Sequence, residues 1–247
     1  RFEVGKVLIV APKKVAEATW TDEIAKWDHL SLLKTSHVLG GLQKRIKALA
    51  KTADIYVINR ENVTWLVDYY KNAWPFDMVV LDEWSSFKNH QSKRFKSLKV
   101  IRNKINRIVG LTGTPAPNGL IDLWAQLYLL DLGERLEKTI GKFRERYFEP
   151  GQRNRTIIFN YDAKEGSNEA IHEKIADICI SMKAEDYLEL PDLIYEQVPV
   201  ALDSKAKKSY DELEKKAILE LEDTEITVAN AAALSNKLLQ LANGAVY

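Results

Sequence analysis

Short apolar runs alternate with amphipathic segments along the first half of the chain. Runs of this length that are bounded by polar or glycine residues are typical of strands, and we predict five, at residues 7–11, 36–39, 54–59, 77–82 and 107–112. Between them, apolar residues recur at helical spacing, which predicts helices near residues 16–27, 42–51, 62–71, 95–105 and 120–130. Strands that alternate with helices favour an α/β fold with a parallel sheet and right-handed crossovers.

The alternation of strands and helices ends after about residue 132. Beyond it we predict helices at residues 140–147, 168–180, 210–221 and 231–241, and an exposed loop at residues 151–155. Residues 193–202 read as a strand, and Pro199 would place that strand at a sheet edge. The chain is therefore predicted to divide into an α/β lobe, residues 1–132, and a mainly helical extension, residues 133–247.

Polar residues follow the predicted strands at three places. Asp82 and Glu83 end one apolar run, Thr112-Gly113-Thr114-Pro115 follows the next strand, and Ala11-Pro12 ends the first. Acids at a strand end are usually only solvated, but three such ends share one edge in an open parallel sheet, where ligands bind. A carboxylate pair at that edge can hold Mg²⁺ on a nucleotide and orient a water molecule.

The composition is that of an ordinary globular protein, with 46% hydrophobic and 29% charged residues and a net charge of +1. Cys179 is the single cysteine, which excludes an intramolecular disulfide and a cysteine zinc cluster and favours an intracellular, cytoplasmic location. No apolar run reaches membrane-spanning length, so no membrane partner is expected. The first residues contain neither a signal-peptide pattern nor an initiator Met, and we expect them to lie within a longer protein.

The order of these segments resembles the motifs of the Swi/Snf family, helicase-like ATPases within the superfamily 2 DNA translocases. Motif Ia and the family's Trp-x-x-Glu signature are similar to Val7–Pro12 and to Trp20 with Glu23, and motif Ib is similar to Ile55–Arg60. The DExH box and its following Lys-Asn resemble Asp82-Glu83-Trp84-Ser85 and Lys88-Asn89, and motif III resembles Leu111–Pro115 with Asn118. Later family segments resemble Leu190-Pro191, the helix with Tyr210, and Leu238–Ala242.

This resemblance implies a RecA-like doubly wound parallel sheet of the P-loop NTPase class with a helical C-terminal extension. It further implies the first lobe of an enzyme that couples Mg-ATP hydrolysis to movement on double-stranded DNA, with a second RecA-like lobe in the same polypeptide. Asp82 would hold Mg²⁺, and Glu83 would orient the attacking water. Thr112 and Thr114 would sense the γ-phosphate of ATP, although an ordinary turn hydroxyl before Pro115 also explains Thr114.

The nucleic-acid side of the resemblance rests on residues after two strands. Lys13 and Lys14 follow motif Ia, and Asn59 and Arg60 end motif Ib, where cations and backbone amides can contact phosphates. A solvated first helical turn explains Lys13 and Lys14 about as well. Lys88–Arg107 contains eight Lys or Arg and no Asp or Glu. That stretch fits either a phosphate-binding face or the solvated face of an amphipathic helix.

The chain departs from the family pattern in four ways. It contains no Gly-Lys-Thr phosphate loop and no second lobe with an arginine finger, so residues 1–247 alone are expected to be inactive. Ser85 stands where the box usually has His, and Ile180–Lys183 stands in place of a basic segment.

Three alternative functions remain open from the sequence. The chain could be a lobe of an RNA helicase, a lobe of a restriction-type translocase, or a non-catalytic nucleic-acid-binding module that retained the fold. The Trp20 signature and the Leu-Thr-Gly-Thr-Pro motif favour the Swi/Snf branch over the other motors. Asp82 and Glu83 together argue against a non-catalytic module, because such a module needs neither acid.

Overall fold

A parallel sheet of five strands organises the larger part of the chain. The structure is a computed structural model that describes residues 4–153, 158–182, 194–222 and 228–244. Its strands are β1 (Val7–Ala11), β2 (Thr35–Val38), β3 (Ile55–Asn59), β4 (Met78–Asp82) and β5 (Arg107–Leu111). They lie in the order β2-β3-β1-β4-β5. All five predicted strands are confirmed, with ends that differ by no more than one residue.

Helices connect the successive strands, as their apolar spacing predicted. A π-helical turn, Val15–Thr19, follows β1 and leads into α1 (Trp20–Lys26). The later connections contain α2 (Leu42–Leu49), α3 (Val63–Tyr70) and α4 (Lys93–Ile101), and β5 is followed by α5 (Leu123–Asp131). The start of α4 is set by Ser92, whose Oγ accepts a hydrogen bond from the backbone N–H of Phe95 at 3.2 Å.

Two cores lie on the two faces of the sheet, because successive side chains of a strand point to opposite faces. Leu8 and Leu81 lie fully buried in the core that α2 to α5 cover. Ile9 and Val80 lie in the other core, against the segment that contains Ala16 and α1. Coverage of both faces explains the near-continuous apolar strands. Full burial of one such Leu side chain contributes about 1.5–3 kcal/mol to the free energy of unfolding.

A helix–hairpin–helix segment follows α5 and packs into the same core as Leu8. It comprises α6 (Ile140–Tyr147), an antiparallel pair of β6 (Phe148–Pro150) and β7 (Tyr161–Ala163), and α7 (Ser167–Ile175). The sequence predicted both helices, although α7 ends five residues earlier than expected. The hairpin was not predicted, because Phe148-Glu149-Pro150 has neither the length nor the alternation of a typical strand.

Contacts between residues divide the chain into two compact units, Arg1–Ser181 and Met182–Tyr247. The domain boundary after residue 132 stays a prediction, and in this division residues 133–181 fall with the sheet. In the second unit, α8 (Ser204–Glu222) and α9 (Val228–Ala242) pack against each other, and both were predicted. Within the described parts of both units, no helix is long and apolar enough to cross a membrane.

The predicted strand at residues 193–202 is wrong over its described part. Residues 194–202 have no regular structure, and Ile194, Val198 and Val200 are all exposed. Apolar alternation produces a strand only where a neighbouring strand accepts its hydrogen bonds, and these residues pair with no strand in the described ranges. Leu190, Pro191 and Leu193 lie outside the described residues.

Candidate functional site

The carboxyl ends of the strands meet at one edge of the sheet, because the strands are parallel and closely in register. Ala11 at the end of β1 lies opposite Asn59 at the end of β3. Val10 lies opposite Leu81, and Asp82 lies opposite Leu111. The predicted placement of the acids and of motif III on one edge is therefore confirmed.

Glu83 lies at the centre of the hydrogen bonds at this edge. Its backbone adopts a left-handed conformation, with φ 52° and ψ 55°, which is uncommon for a residue other than glycine. Its Oε1 accepts hydrogen bonds from Ser85 Oγ at 2.8 Å and from Thr112 Oγ1 at 3.0 Å. No described side chain donates to Oε2, so this oxygen can accept a hydrogen bond from a water molecule.

Asp82 is held from two sides at the end of β4. Its Oδ1 accepts the backbone N–H of Glu83 at 2.9 Å, and its Oδ2 accepts Trp20 Nε1–H at 3.0 Å. Each oxygen keeps a lone pair, and hard carboxylate oxygens are the ligands that Mg²⁺ prefers. Among the described residues no three acids, His or Cys gather to hold a metal.

The loop after Thr112 is tied to Asp122, the residue that directly precedes α5. The Thr114 N–H donates to Thr112 Oγ1 at 3.2 Å, while the Thr114 residue itself is exposed. Asp122 Oδ2 accepts both the Asn118 N–H at 3.0 Å and Lys88 Nζ at 3.1 Å. The loop that follows Thr112 is therefore linked to the segment after the acids.

Gln126 and Asp122 were missed as site residues in the sequence. Gln126 is fully buried, and its Nε2 donates to the carbonyl of Pro115 at 2.6 Å. An amide on an otherwise apolar helix was the only available signal for Gln126. Lys88 was singled out as part of the motif after the acids, but nothing in the sequence identified Asp122 as its partner.

Trp84 supports the acids from the α2–α5 face of the sheet. Its ring is buried and lies directly on Gly110 of β5, so that a Cβ atom at Gly110 would stand 2.4 Å from Trp84 Cδ2. Only glycine fits at Gly110 while the indole occupies this position. The pairing holds the residue after Glu83 against the strand that carries Thr112.

The basic residues at the edge differ in their surroundings. Lys13 and Lys14 are exposed at the start of the helical segment after β1. Arg60 Nε pairs with Glu61 Oε1 at 3.1 Å, and Asn59 Nδ2 donates to Glu61 Oε2 at 2.9 Å. Partial burial raises the pKa of Glu61, but the hydrogen bonds from Asn59, its own backbone and Arg60 outweigh this and lower that pKa.

Several cations of the basic stretch, residues 88–107, make structural contacts. Arg102 donates to the backbone carbonyls of Leu129 and Leu130, and burial lowers its pKa. Lys104 Nζ donates to Asn72 Oδ1 at 2.9 Å, and Lys99 Nζ lies 4.7 Å from the ring centroid of Tyr128. These contacts favour the helix-face interpretation over a phosphate-binding face for these residues.

The tryptophans of the helices differ in exposure. Trp124 is buried and Trp20 is half-buried, whereas Trp27 is 55% exposed at the end of α1. A depression of about 590 Å³ is lined by residues that include Asn118, Arg144 and Tyr161. Neither acid lines this depression, so its size gives no indication of the chemistry.

The comparisons with known proteins decide the family. The family model described as the SNF2-related domain matches residues 3–243 of this chain. This chain belongs to the SNF2-related domain family. The resemblance to Swi/Snf ATPases that the motifs indicated is thereby confirmed.

Similar proteins cover most of the SNF2-related domain. Protein p41 of Acyrthosiphon pisum secondary endosymbiont phage 1 is 36% identical over 255 residues, which is 99% of this chain and 55% of p41. The DNA annealing helicase and endonuclease ZRANB3 of Bos taurus is 29% identical over 230 residues, 86% of this chain and 20% of ZRANB3. The domain therefore spans about half or less of the length of these curated relatives.

A solved structure confirms the fold. The SWI2/SNF2 ATPase core of Sulfolobus solfataricus in complex with dsDNA matches with a TM-score of 0.57 and 21% identity. The match covers 96% of this chain and 47% of that one. The SNF2-related domain therefore has the RecA-like α/β fold that was predicted.

Proposed function

We propose that this SNF2-related domain is the first lobe of an ATP-dependent translocase that moves on double-stranded DNA. The observation that carries the proposal is the hydrogen bond from Thr112 Oγ1 to Glu83 Oε1, beside Asp82 at the edge of the sheet. This hydrogen bond joins Glu83, which can orient a water molecule, to the segment that follows β5. Such a hydrogen bond suits an enzyme whose conformation must depend on the state of a bound phosphate.

Each residue of the acidic pair has a separate role in this proposal. When bound, Mg²⁺ neutralises charge on the β- and γ-phosphates of ATP. Asp82 would hold the ion, since both of its oxygens are already oriented by neutral N–H donors. Glu83 would accept a hydrogen bond from the attacking water at Oε2 while Oε1 is held by Ser85 and Thr112. Thr112 and Thr114 would respond to the γ-phosphate.

Positive charge after β1 and β3, at the same edge of the sheet, supports double-stranded DNA as the nucleic acid on which the protein moves. Lys13 and Lys14 are exposed, and Asn59 and Arg60 lie close by at the end of β3. These four residues would contact the phosphate backbone. The relative ZRANB3 is named as a DNA annealing helicase and endonuclease.

Hydrolysis would need parts that residues 1–247 do not contain. Residues 1–247 contain no Gly-Lys-Thr phosphate loop, and a second RecA-like lobe would supply an arginine finger. An arginine finger alone is worth about 10³–10⁵ in rate. We therefore expect residues 1–247 by themselves to show no DNA-stimulated turnover, so a test of turnover requires the complete polypeptide.

The decisive experiment is the Glu83→Gln substitution in the complete polypeptide. We expect DNA-stimulated ATP hydrolysis to fall about 10²–10⁴-fold, because the amide keeps the shape but no longer accepts a proton or orients water as a carboxylate does. Nucleotide binding, measured by equilibrium titration, should remain within about threefold of the wild type. Turnover is compared with duplex DNA, with duplex RNA and without nucleic acid.

Glu173→Gln provides the matched control, because Glu173 is an exposed acid on α7. It should leave turnover unchanged. Undiminished turnover in Glu83→Gln would exclude Glu83 from the reaction. Stimulation by duplex RNA but not by duplex DNA would instead indicate an RNA helicase, and nucleic-acid binding without any turnover would indicate a binding module.

A further inference from the structure

Trp20 and Asp82 lie on the same face of the sheet because side chains alternate between the two faces along a strand. Met78 and Val80 of β4 face the core beneath α1, so Asp82, two residues further, emerges on that face as well. Trp20 packs against this core and is half-buried. Its indole Nε1–H reaches Asp82 Oδ2 at 3.0 Å, although 62 residues separate the two in sequence.

We propose that Trp20 is a positioning residue that orients the Asp82 carboxylate toward bound Mg²⁺. The inference rests on the proposed function, in which Asp82 holds the ion. With Oδ1 on the Glu83 N–H and Oδ2 on the indole, rotation of the carboxylate about its χ2 bond would break two hydrogen bonds. The plane of the carboxylate is therefore set before the metal arrives.

The chemical nature of the donor matters for this role. An indole N–H is neutral, so it can orient a carboxylate without cancelling the negative charge that attracts a cation. A Lys or Arg at the same place would compete with Mg²⁺ for that charge. Hydrogen bonds that orient a metal ligand commonly change metal affinity by 10- to 100-fold when they are removed.

The segment around Trp20 is itself held in place by a residue of the edge strand β2. The π-helical turn Val15–Thr19 directly precedes Trp20, and such turns are rare and are frequently found at functional sites. His37 of β2 contacts one residue within this turn and one after it, with Nδ1 3.0 Å from the Ala16 carbonyl oxygen and Nε2 2.8 Å from Thr21 Oγ1 in α1. The direction of the indole is thus fixed by tertiary contacts and by packing.

Trp20→Phe in the complete polypeptide tests the proposal, because phenylalanine keeps an aromatic ring but has no N–H. We expect the Mg²⁺ concentration for half-maximal ATP hydrolysis to rise about tenfold. A second readout does not involve turnover: binding of Mn²⁺, used as a spectroscopic probe in place of Mg²⁺, is followed by electron paramagnetic resonance in the presence of ADP. The Mn²⁺ affinity should fall by a similar factor, while affinity for duplex DNA stays within about twofold.

Trp27→Phe is the matched control, since Trp27 lies at the end of the same helix and is 55% exposed. It should change neither metal titration. If Trp20→Phe does not accumulate as folded protein, Trp20→Leu is the second variant, because leucine also has no hydrogen-bond donor, and the same loss of Mn²⁺ affinity is expected.

Two results would overturn the inference: an unchanged Mn²⁺ affinity in the folded Trp20 variant, or an equal loss in the Trp20 and Trp27 variants. If either result is found while Glu83→Gln is inactive, the proposed function stands and only the role of Trp20 is removed. Full turnover in Glu83→Gln would remove the proposed function, whereas the Mn²⁺ titration would still report whether Trp20 orients a metal-binding carboxylate.

Discussion

At the acidic end of the sheet edge, formed by β4 and β5, Asp82, Glu83 and Thr112 are partly buried and joined by hydrogen bonds. Lys13 and Lys14, which follow the central strand β1, are exposed. The difference follows from the two tasks proposed for them. Orienting a water molecule requires groups fixed to within a fraction of an ångström, which only packing and hydrogen bonds provide. Attraction to a DNA backbone requires charge that phosphates can reach, and this is served by side chains that remain in solvent.

Gly110→Ala should produce the largest disruption of the acidic end. The added Cβ would stand 2.4 Å from the buried Trp84 ring, so the indole must move, and overpacking of this kind typically costs about 1–3 kcal/mol in the free energy of unfolding. Because Trp84 directly follows Glu83, we also expect ATP turnover to fall by more than the loss of folded protein accounts for. Thermal unfolding and steady-state ATP hydrolysis measure the two effects.

The double substitution Gly110→Ala with Trp84→Leu sharpens this test, since the smaller side chain makes room for the new methyl group. Gly110→Ala should therefore cost less stability in the Trp84→Leu background than in the wild type, which a double-mutant cycle measures. Gly141→Ala is the control, because a Cβ there meets nothing within 4 Å and the residue lies in α6, where alanine is favoured. Equal stability of Gly110→Ala and the wild type would show that Trp84 does not depend on Gly110.

The double substitution Lys13→Ala with Lys14→Ala should weaken DNA binding without disturbing the acidic end of the sheet edge. Each lost phosphate contact is expected to reduce the slope of log affinity against log salt concentration by about one. Stability should change by less than about 0.5 kcal/mol because both side chains are exposed. DNA binding is measured by fluorescence anisotropy over a range of salt concentrations.

Lys51→Ala serves as the control for the lysine variants, since Lys51 is exposed and precedes β3. It therefore lies toward the opposite edge of the parallel sheet from Lys13. A salt slope that falls as much in Lys51→Ala as in the double variant would assign the effect to total charge and not to the edge after β1.

Glu61→Gln should have the smallest effect. It releases Arg60 from its ion pair, so we expect DNA affinity to rise about twofold, while stability falls by about 0.5 kcal/mol or less because the Glu61 side chain is 55% exposed.

The pKa of Glu61 is lowered from 4.5, so its stabilising interactions are present above that pH and are lost as pH falls through the lowered value. The difference in stability between wild type and variant should therefore narrow as the solution is acidified below about pH 4.5. Urea unfolding at neutral and acidic pH measures it, and a difference that widens on acidification would contradict this sign.

Local patterns predicted most of the elements because the periodicity of apolar residues reports which face of an element is buried. The five strands and the helices between them follow from that rule, as do α8 and α9. The rule was wrong at residues 194–202, where apolar alternation occurs without a partner strand. It also missed β6 and β7, which are short and stabilised by pairing with each other.

The sequence by itself determined the family motifs, the parallel sheet and the edge on which Asp82, Glu83 and Thr112 lie, because chain order and strand direction decide those features. Only the tertiary structure decided which atoms meet there. Thr112 lies 29 residues from Glu83, and Trp20 lies 62 residues from Asp82. Hydrogen bonds over such separations depend on strand register, on the π-helical turn before Trp20 and on side-chain rotamers, none of which has a local signature in the sequence.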